Sequence, residues 1–150
     1  MSQLKILNKK EIKHILGMIK SQWNADADLD YVFLKTEKGK IYIVNKEIAK
    51  IDLVKLRVNS IGLYFGEIKN GEIRLSIEGS QIVGQKAEKN VLELDENEAK
   101  EWMQGNDLEK ETGASGFFII KYKDDFLGCG KYKDGKIFNF IGKARRIKLH

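Results

Sequence analysis

The 150 residues suffice for one ordinary domain or two very small ones, and the 42% apolar content, with seven Phe, five Tyr and two Trp, can build a core and argues against disorder. No apolar run approaches the ~20 residues of a membrane helix, and Met1 to Lys10 lacks the apolar stretch of a secretion signal; the expectation is a soluble cytoplasmic protein with no membrane partner. The net charge of +5 is segregated: residues 1–120 carry 18 Lys/Arg against 19 Asp/Glu and residues 121–150 carry 9 against 3, so the whole excess lies at the C-terminal end, a pattern that suits a polyanion better than a small acidic ligand.

Asn8 and Glu11 have capping-box spacing and open a helix whose apolar face runs through Ile12, Ile15, Leu16, Ile19 and Trp23. Tyr31 to Thr36 and Lys40 to Val44 read as a hairpin turned by Glu37-Lys38-Gly39. Glu47 to Arg57, with Ile48, Ile51 and Val54, reads as a second helix. Ile61 to Ile68 and Glu72 to Ile77 form another hairpin, in which Asn70-Gly71 supplies the positive φ of a tight turn. Gly79 to Lys89 reads as a break, and the domain boundary is placed at its end, between residues 1–88 and 89–150. Val91 to Leu94 is a strand; Asp95 caps a helix over Glu96 to Gln104 that Gly105 stops. Asn106 to Ser115 is a loop. Phe117 to Tyr122, Phe126 to Tyr132 and Lys136 to Ile141 are strands joined at Asp124-Asp125 and Asp134-Gly135, and Arg145 to Leu149 is expected to close the sheet. Short antiparallel strands in so small a unit curl into a barrel to hide their edges. The class is α+β.

The chemistry-bearing residues point away from catalysis. Cys129, His14 and His150 are too few to hold a zinc ion by themselves, and Cys129 has no obvious base, so a buried inert thiol is expected. Gly128-Cys129-Gly130-Lys131 resembles the end of a phosphate-binding loop but lacks the following Ser or Thr; the glycines instead mark a bulge or a close backbone approach. Ser76, Glu78 and Ser80 have no hydrolase spacing. Eight carboxylates between Glu93 and Glu111 read as a solvated face, or as one that meets a basic protein. No catalytic residue, cofactor site or metal site is expected. The remaining feature is basic: Lys143, Arg145, Arg146 and Lys148, preceded by Lys131, Lys133 and Lys136, with Tyr122, Tyr132, Phe138 and Phe140 interleaved. Phosphates are met by such donors and unstacked bases by such rings, while charge alone is equally compatible with a solvated terminal strand. Strand alternation puts Phe138 and Phe140 on one face, and both are expected in the core.

Several stretches together resemble a known family: Gly62-Leu63-Tyr64-Phe65-Gly66-Glu67-Ile68, Arg74-Leu75-Ser76-Ile77-Glu78-Gly79-Ser80-Gln81-Ile82, Glu101-Trp102-Met103-Gln104-Gly105-Asn106-Asp107-Leu108, Phe126-Leu127-Gly128-Cys129-Gly130-Lys131, and Asn139-Phe140-Ile141-Gly142-Lys143-Ala144-Arg145-Arg146-Ile147. Over roughly residues 60–147 the pattern is similar to the PUA-like RNA-binding region of the Sun-type RNA 5-methylcytosine methyltransferases, archaeal ones especially, and to the pre-PUA plus PUA ribosome-biogenesis factors of the Nip family. The resemblance implies a pre-PUA α+β domain at 1–88 beside a PUA-like pseudo-barrel at 89–150. Because 62 residues are few for that barrel, a strand from before Val91 is expected to join it. Methyl transfer in that family needs a Pro-Cys nucleophile, and the sequence contains no proline. The resemblance therefore implies a non-enzymatic RNA-binding protein acting on rRNA or tRNA in ribosome biogenesis, rRNA processing or RNA modification. The positions it carries over are the strand turn at Gly128 and Gly130 and the basic run Lys143, Arg145 and Arg146; the charge and aromatic pattern adds Lys131, Tyr132, Lys133, Lys136 and Lys148 as expected RNA contacts. The alternative is a protein-interaction module that docks an RNA methyltransferase or a pre-ribosomal protein.

Overall fold

Asn8 starts the first helix as its spacing to Glu11 requires. Its side chain accepts from the Glu11 N–H (2.9 Å), and the Glu11 carboxylate accepts from the Asn8 N–H (3.1 Å), which satisfies two donors that a helix start otherwise leaves open. The computed structural model describes residues 4–49, 62–113 and 115–147. In it α1 (Lys9–Trp23) buries Ile15, Met18, Ile19 and Trp23 against an antiparallel sheet of β1 (Lys5–Ile6), β2 (Tyr31–Lys35), β3 (Lys40–Asn45), β4 (Leu63–Lys69) and β5 (Glu72–Leu75), paired in chain order. The edge of β5 is covered by Gln22, whose amide donates to the Ile73 carbonyl (3.0 Å) and accepts from its N–H (2.8 Å). Both hairpins turn where expected, at residues 37–39 and at Asn70-Gly71. The expected helix at 47–57 is represented by α2 (Lys46–Ala49); its remainder lies outside the described residues.

The expected break after Gly79 is instead largely helix. Ser76 caps α3 (Ile77–Gly84): its hydroxyl accepts from the Gly79 N–H (2.9 Å) while donating to the Tyr64 carbonyl (2.5 Å), so the same side chain starts the helix and ties it to β4.

The second sheet runs β6–β8–β9–β10–β7: β6 (Val91–Glu93), β8 (Gly116–Tyr122), β9 (Asp125–Lys133), β10 (Lys136–Phe138) and β7 (Leu108–Glu109). β6 runs parallel to β8 and the other pairs are antiparallel; β7 occupies part of the segment expected as loop. Each strand of this sheet begins at or after Val91. Among the described residues no strand from before Val91 joins it, and β9 meets α3. α4 (Glu96–Met103) starts in a second capping box, Asp95 with Glu98, and lies on the opposite face. Of the expected closing strand at Arg145–Leu149, the described residues 145–147 are not strand. Lys143–Arg145 form a 3-10 turn, and the Ile147 N–H donates to the Met103 carbonyl (2.8 Å), which takes the segment to the end of α4; residues 148–150 lie outside the described residues.

Among the described residues, Leu34 and Val44 form a small cluster and two large clusters make most of the core. One joins the halves of the chain: Trp23, Phe33, Phe65, Ile73 and Val83 pack with Ile119 and Cys129. The other lies between α4 and the second sheet and holds Trp102, Phe118, Ile120, Tyr132 and Ile137. The second sheet is thus covered by α4 on one face and, over part of the other, by the N-terminal half. The glycine-rich stretch in β9 serves this packing. The β8–β9 register slips opposite Ile120, with Gly128 at φ 109 in the bulge. A Cβ on Gly130 would stand 2.6 Å from atoms of both Trp102 and Ile137. Gly130→Ala is therefore expected to lower unfolding free energy by ~1–3 kcal/mol, the range for overpacking a filled core, as an earlier midpoint at unchanged slope in urea.

Candidate functional site

The basic residues expected from the sequence fall into two groups. Lys131, Lys133 and Lys136 stand on the β9–β10 hairpin, where Lys133 faces Lys136 and Lys131 faces Phe138 across the strands. Alternation sends Tyr132 and Ile137 inward and the three lysines to the other side. Like charges placed directly opposite on a sheet repel, and Lys133 with Lys136 is such a pair. Lys136 has Glu109 as its other register partner, on β7. Among the described residues, no carboxylate lies within ion-pair distance of Lys131, Lys133, Lys136 or Lys143, and Lys133, Lys136 and Lys143 are exposed. Unpaired ammonium groups held on a rigid hairpin are available to phosphate oxygens.

The second group is already engaged. Arg145 donates to Glu78, in the first turn of α3, at 2.6 Å. Arg146 donates its Nε to the Ile141 carbonyl (3.0 Å), and its side chain fills the space over Gly105. Both arginines, expected from the sequence to meet RNA, also fasten the C-terminal segment to the rest of the molecule. Lys148 lies outside the described residues.

The aromatic assignments reverse. Tyr132, expected to meet RNA, is buried in the second core, and its hydroxyl donates to Glu111 at 2.7 Å; that bond, then burial, raises its pKa. Its ring is closed to a stacking partner. Phe138 and Phe140, expected in the core, are 37% and 41% exposed. They do share a face, as alternation requires. The inner face belongs to Ile137, Asn139 and Ile141: Ile137 and Ile141 are buried, and the Asn139 amide donates to the carbonyls of Trp102 (2.8 Å) and Asn106 (3.0 Å). Sequence reasoning also missed Arg74, whose guanidinium sits 4.2 Å from the centre of the Phe140 ring. Its signal was its place between the core residues Ile73 and Leu75, which sends it to the outer face of β5.

Cys129 is buried, and burial pushes its thiol up to about 12. A thiol in that state is no nucleophile at neutral pH. The native protein is expected to resist an aromatic disulfide reagent at pH 8 and to react stoichiometrically once unfolded in guanidinium. Because the folded pKa exceeds that of a free thiol, the contribution of the buried Cys129 to stability is present in full below about 9 and is lost as pH rises towards about 12. Among the described residues, no group of three His, Cys, Asp or Glu side chains converges as metal ligands, and no helix is long and apolar enough to cross a membrane. The carboxylates of α4 are largely occupied: Glu98 caps the helix and accepts from Lys110 (2.9 Å), Glu96 pairs with Lys100, and Glu101 accepts from Asn106.

Residues 89–147 match the family model of the methyltransferase RsmF PUA domain. The chain is 37% identical over 89 residues to the ribosomal RNA small subunit methyltransferase F of Aeromonas salmonicida (strain A449), an overlap of 58% of this chain and 18% of that protein. It is 28% identical over 87 residues to the protein of the same name from Vibrio vulnificus (strain YJ016), with the same coverage, and 27% identical over 88 residues to that of Vibrio cholerae serotype O1 (strain M66-2), covering 58% of this chain and 19% of that protein. The chain spans under a fifth of the length of these relatives. The second sheet with α4 thus lies in the segment that is similar to the PUA domain of the RsmF methyltransferases, and that segment falls within the stretch, roughly residues 60–147, whose sequence resembles the Sun-type RNA 5-methylcytosine methyltransferases.

Proposed function

We propose that this chain is a non-catalytic RNA-binding protein whose PUA domain, residues 89–150, engages structured rRNA or tRNA, with residues 1–88 as a pre-PUA unit packed beside it. The observation that carries the reading is the row of unpaired lysines on the β9–β10 hairpin, within the segment that matches the PUA model. Phosphate contacts of this kind position an RNA without reading its sequence, and shape supplies most of the selectivity. The relatives modify ribosomal RNA by name, which favours a place in RNA modification or ribosome biogenesis, in the cytoplasm, alongside an RNA methyltransferase or a pre-ribosomal protein. The alternative is a module that docks such a protein through the N-terminal half or the acidic α4; the α4 carboxylates are largely engaged within the fold, which favours RNA.

The test is filter binding of the full chain to total tRNA and to rRNA fragments at rising salt. Affinity should fall linearly in log–log form, with a slope set by the number of lysine–phosphate contacts. Failure to bind any structured RNA at 50 mM salt overturns the reading.

A further inference from the structure

The N-terminal half covers only part of one face of the second sheet. Where the cover ends, a row of side chains crosses three strands: Phe117 on β8 faces Lys131 on β9, which faces Phe138 on β10. Lys131 Nζ lies 5.4 Å from the centre of the Phe117 ring, and Lys136 Nζ lies 6.0 Å from that of Phe138. Just past the end of β10, Phe140 stands 6.4 Å from Phe117 and under the Arg74 guanidinium of the N-terminal half. Arg74 and Phe140, with Tyr64 and Ser76, line a cleft of about 60 Å³ at this seam. Of the acids nearby, Glu67 is paired with Arg74 (2.9 Å) and Glu78 with Arg145, Asp107 accepts from the Asn139 N–H, and Glu109 stands across the register from Lys136.

An apolar pair exposed to this degree costs free energy in water, and the molecule does not arrive at it by loose packing. Asn139, between the two rings, is held by four hydrogen bonds: its amide to Trp102 and Asn106, its own N–H to Asp107 (2.8 Å), and its side-chain oxygen from the Ile141 N–H (2.8 Å). With Asn139 fixed inward, Phe138 and Phe140 are fixed outward. Ring faces next to lysines that no carboxylate holds in an ion pair are complementary to an unpaired nucleobase and its phosphate rather than to a lipid or an acidic small molecule.

We infer that Phe138 and Phe140 form a stacking rim for unpaired bases of a single-stranded RNA segment, whose phosphates are held by Lys131 and Lys136. This rests on the RNA-binding reading and adds to it a second mode: structured RNA is positioned by charge, and a single-stranded flank is gripped by its bases. The rim straddles the seam, so Arg74 brings the N-terminal half into the same site.

The probe is a ten-nucleotide oligouridylate titrated against the full chain, against Phe138→Leu/Phe140→Leu and against Phe138→Tyr/Phe140→Tyr. Leucine keeps an apolar side chain and removes the π face; tyrosine keeps both. Loss of base stacking should weaken binding of the leucine variant by on the order of ten-fold or more, with the salt slope unchanged, and the tyrosine variant should bind as the native chain does. An independent readout, insensitive to altered stability, is photocrosslinking of the native chain to the same oligonucleotide carrying 5-iodouridine; the adduct should fall on the tryptic peptide 137–143, which holds both rings. Equal affinity of the leucine variant, or adducts confined to other peptides, overturns the rim. If structured RNA binds and the oligouridylate does not, the rim falls while the RNA-binding reading stands, and the exposed rings are left for a protein partner. If neither RNA binds, the reading itself falls.

Discussion

Trp102→Ala is expected to lower the unfolding free energy by about 3–5 kcal/mol, the range for truncating a buried aromatic side chain. Against a total of roughly 5–15 kcal/mol for a natural domain, that is enough to leave much of the population unfolded at 37 °C. The ring is fully buried and fills the space left open by Gly130, and its indole N–H donates to the Leu127 carbonyl at 2.9 Å beside the β9 bulge. Truncation therefore creates a cavity and leaves a carbonyl unpaired in the same place. Trp102→Phe separates the two: it keeps most of the packing and loses the bond, and is expected to cost ~1–3 kcal/mol. Urea denaturation of both variants measures the difference; a loss below 1 kcal/mol for Trp102→Ala would show that α4 does not hold the second sheet in the way the packing indicates. The residue also bears on the site. The Trp102 carbonyl accepts from Asn139, so the helix end that Trp102 anchors is the one that turns Phe138 and Phe140 outward.

Sequence patterns revealed elements whose signals are local and missed those whose reasons are tertiary. The two capping boxes, at Asn8 and Asp95, depend on side chains three residues apart, and both were legible. The Asn70-Gly71 turn was legible for the same reason. α3 was hidden because Gly79 and Gly84 look like helix breakers. Each in fact allows a close approach: a Cβ on Gly79 would overlap the Phe65 carbonyl, and one on Gly84 would overlap the Phe126 ring. A glycine that costs ~1 kcal/mol of helix propensity is offset when it lets a helix lie directly on a strand, and nothing within eight residues of sequence announces that. The aromatic error has a similar origin. Alternation correctly grouped Phe138 with Phe140 but could not say which side was inside; Ile137 and Ile141 held the inner positions, and a polar Asn139 between them was satisfied by α4, which is distant in sequence. Hydrophobicity alone assigned the phenylalanines to the core. Charge segregation, a property of composition, located the basic surface well, yet could not tell lysines that stay unpaired from arginines already bonded to Glu78 and Ile141.

That distinction sets the largest expected effect on binding. The quadruple change Lys131→Gln, Lys133→Gln, Lys136→Gln and Lys143→Gln keeps four polar stems and removes four charges that, among the described residues, no carboxylate neutralises. Each phosphate contact contributes about 0.7–0.9 to the slope of log affinity against log salt, so the slope should fall by about 3. Extrapolated from 1 M to 0.15 M salt, that corresponds to a loss on the order of several hundred-fold in affinity for structured RNA. The native and variant curves should converge near 1 M, where only non-electrostatic contacts remain. Arg145→Gln provides the contrast. Its charge is paired with Glu78 in the free protein, so part of any gain from a phosphate contact is lost in breaking that pair, and the variant's slope should shift by less than that of any single lysine change. Parallel slopes for the native chain and the quadruple variant would remove the hairpin lysines from the interface, and a larger slope change for Arg145→Gln than for Lys136→Gln would move the phosphate contacts from the hairpin to the C-terminal turn.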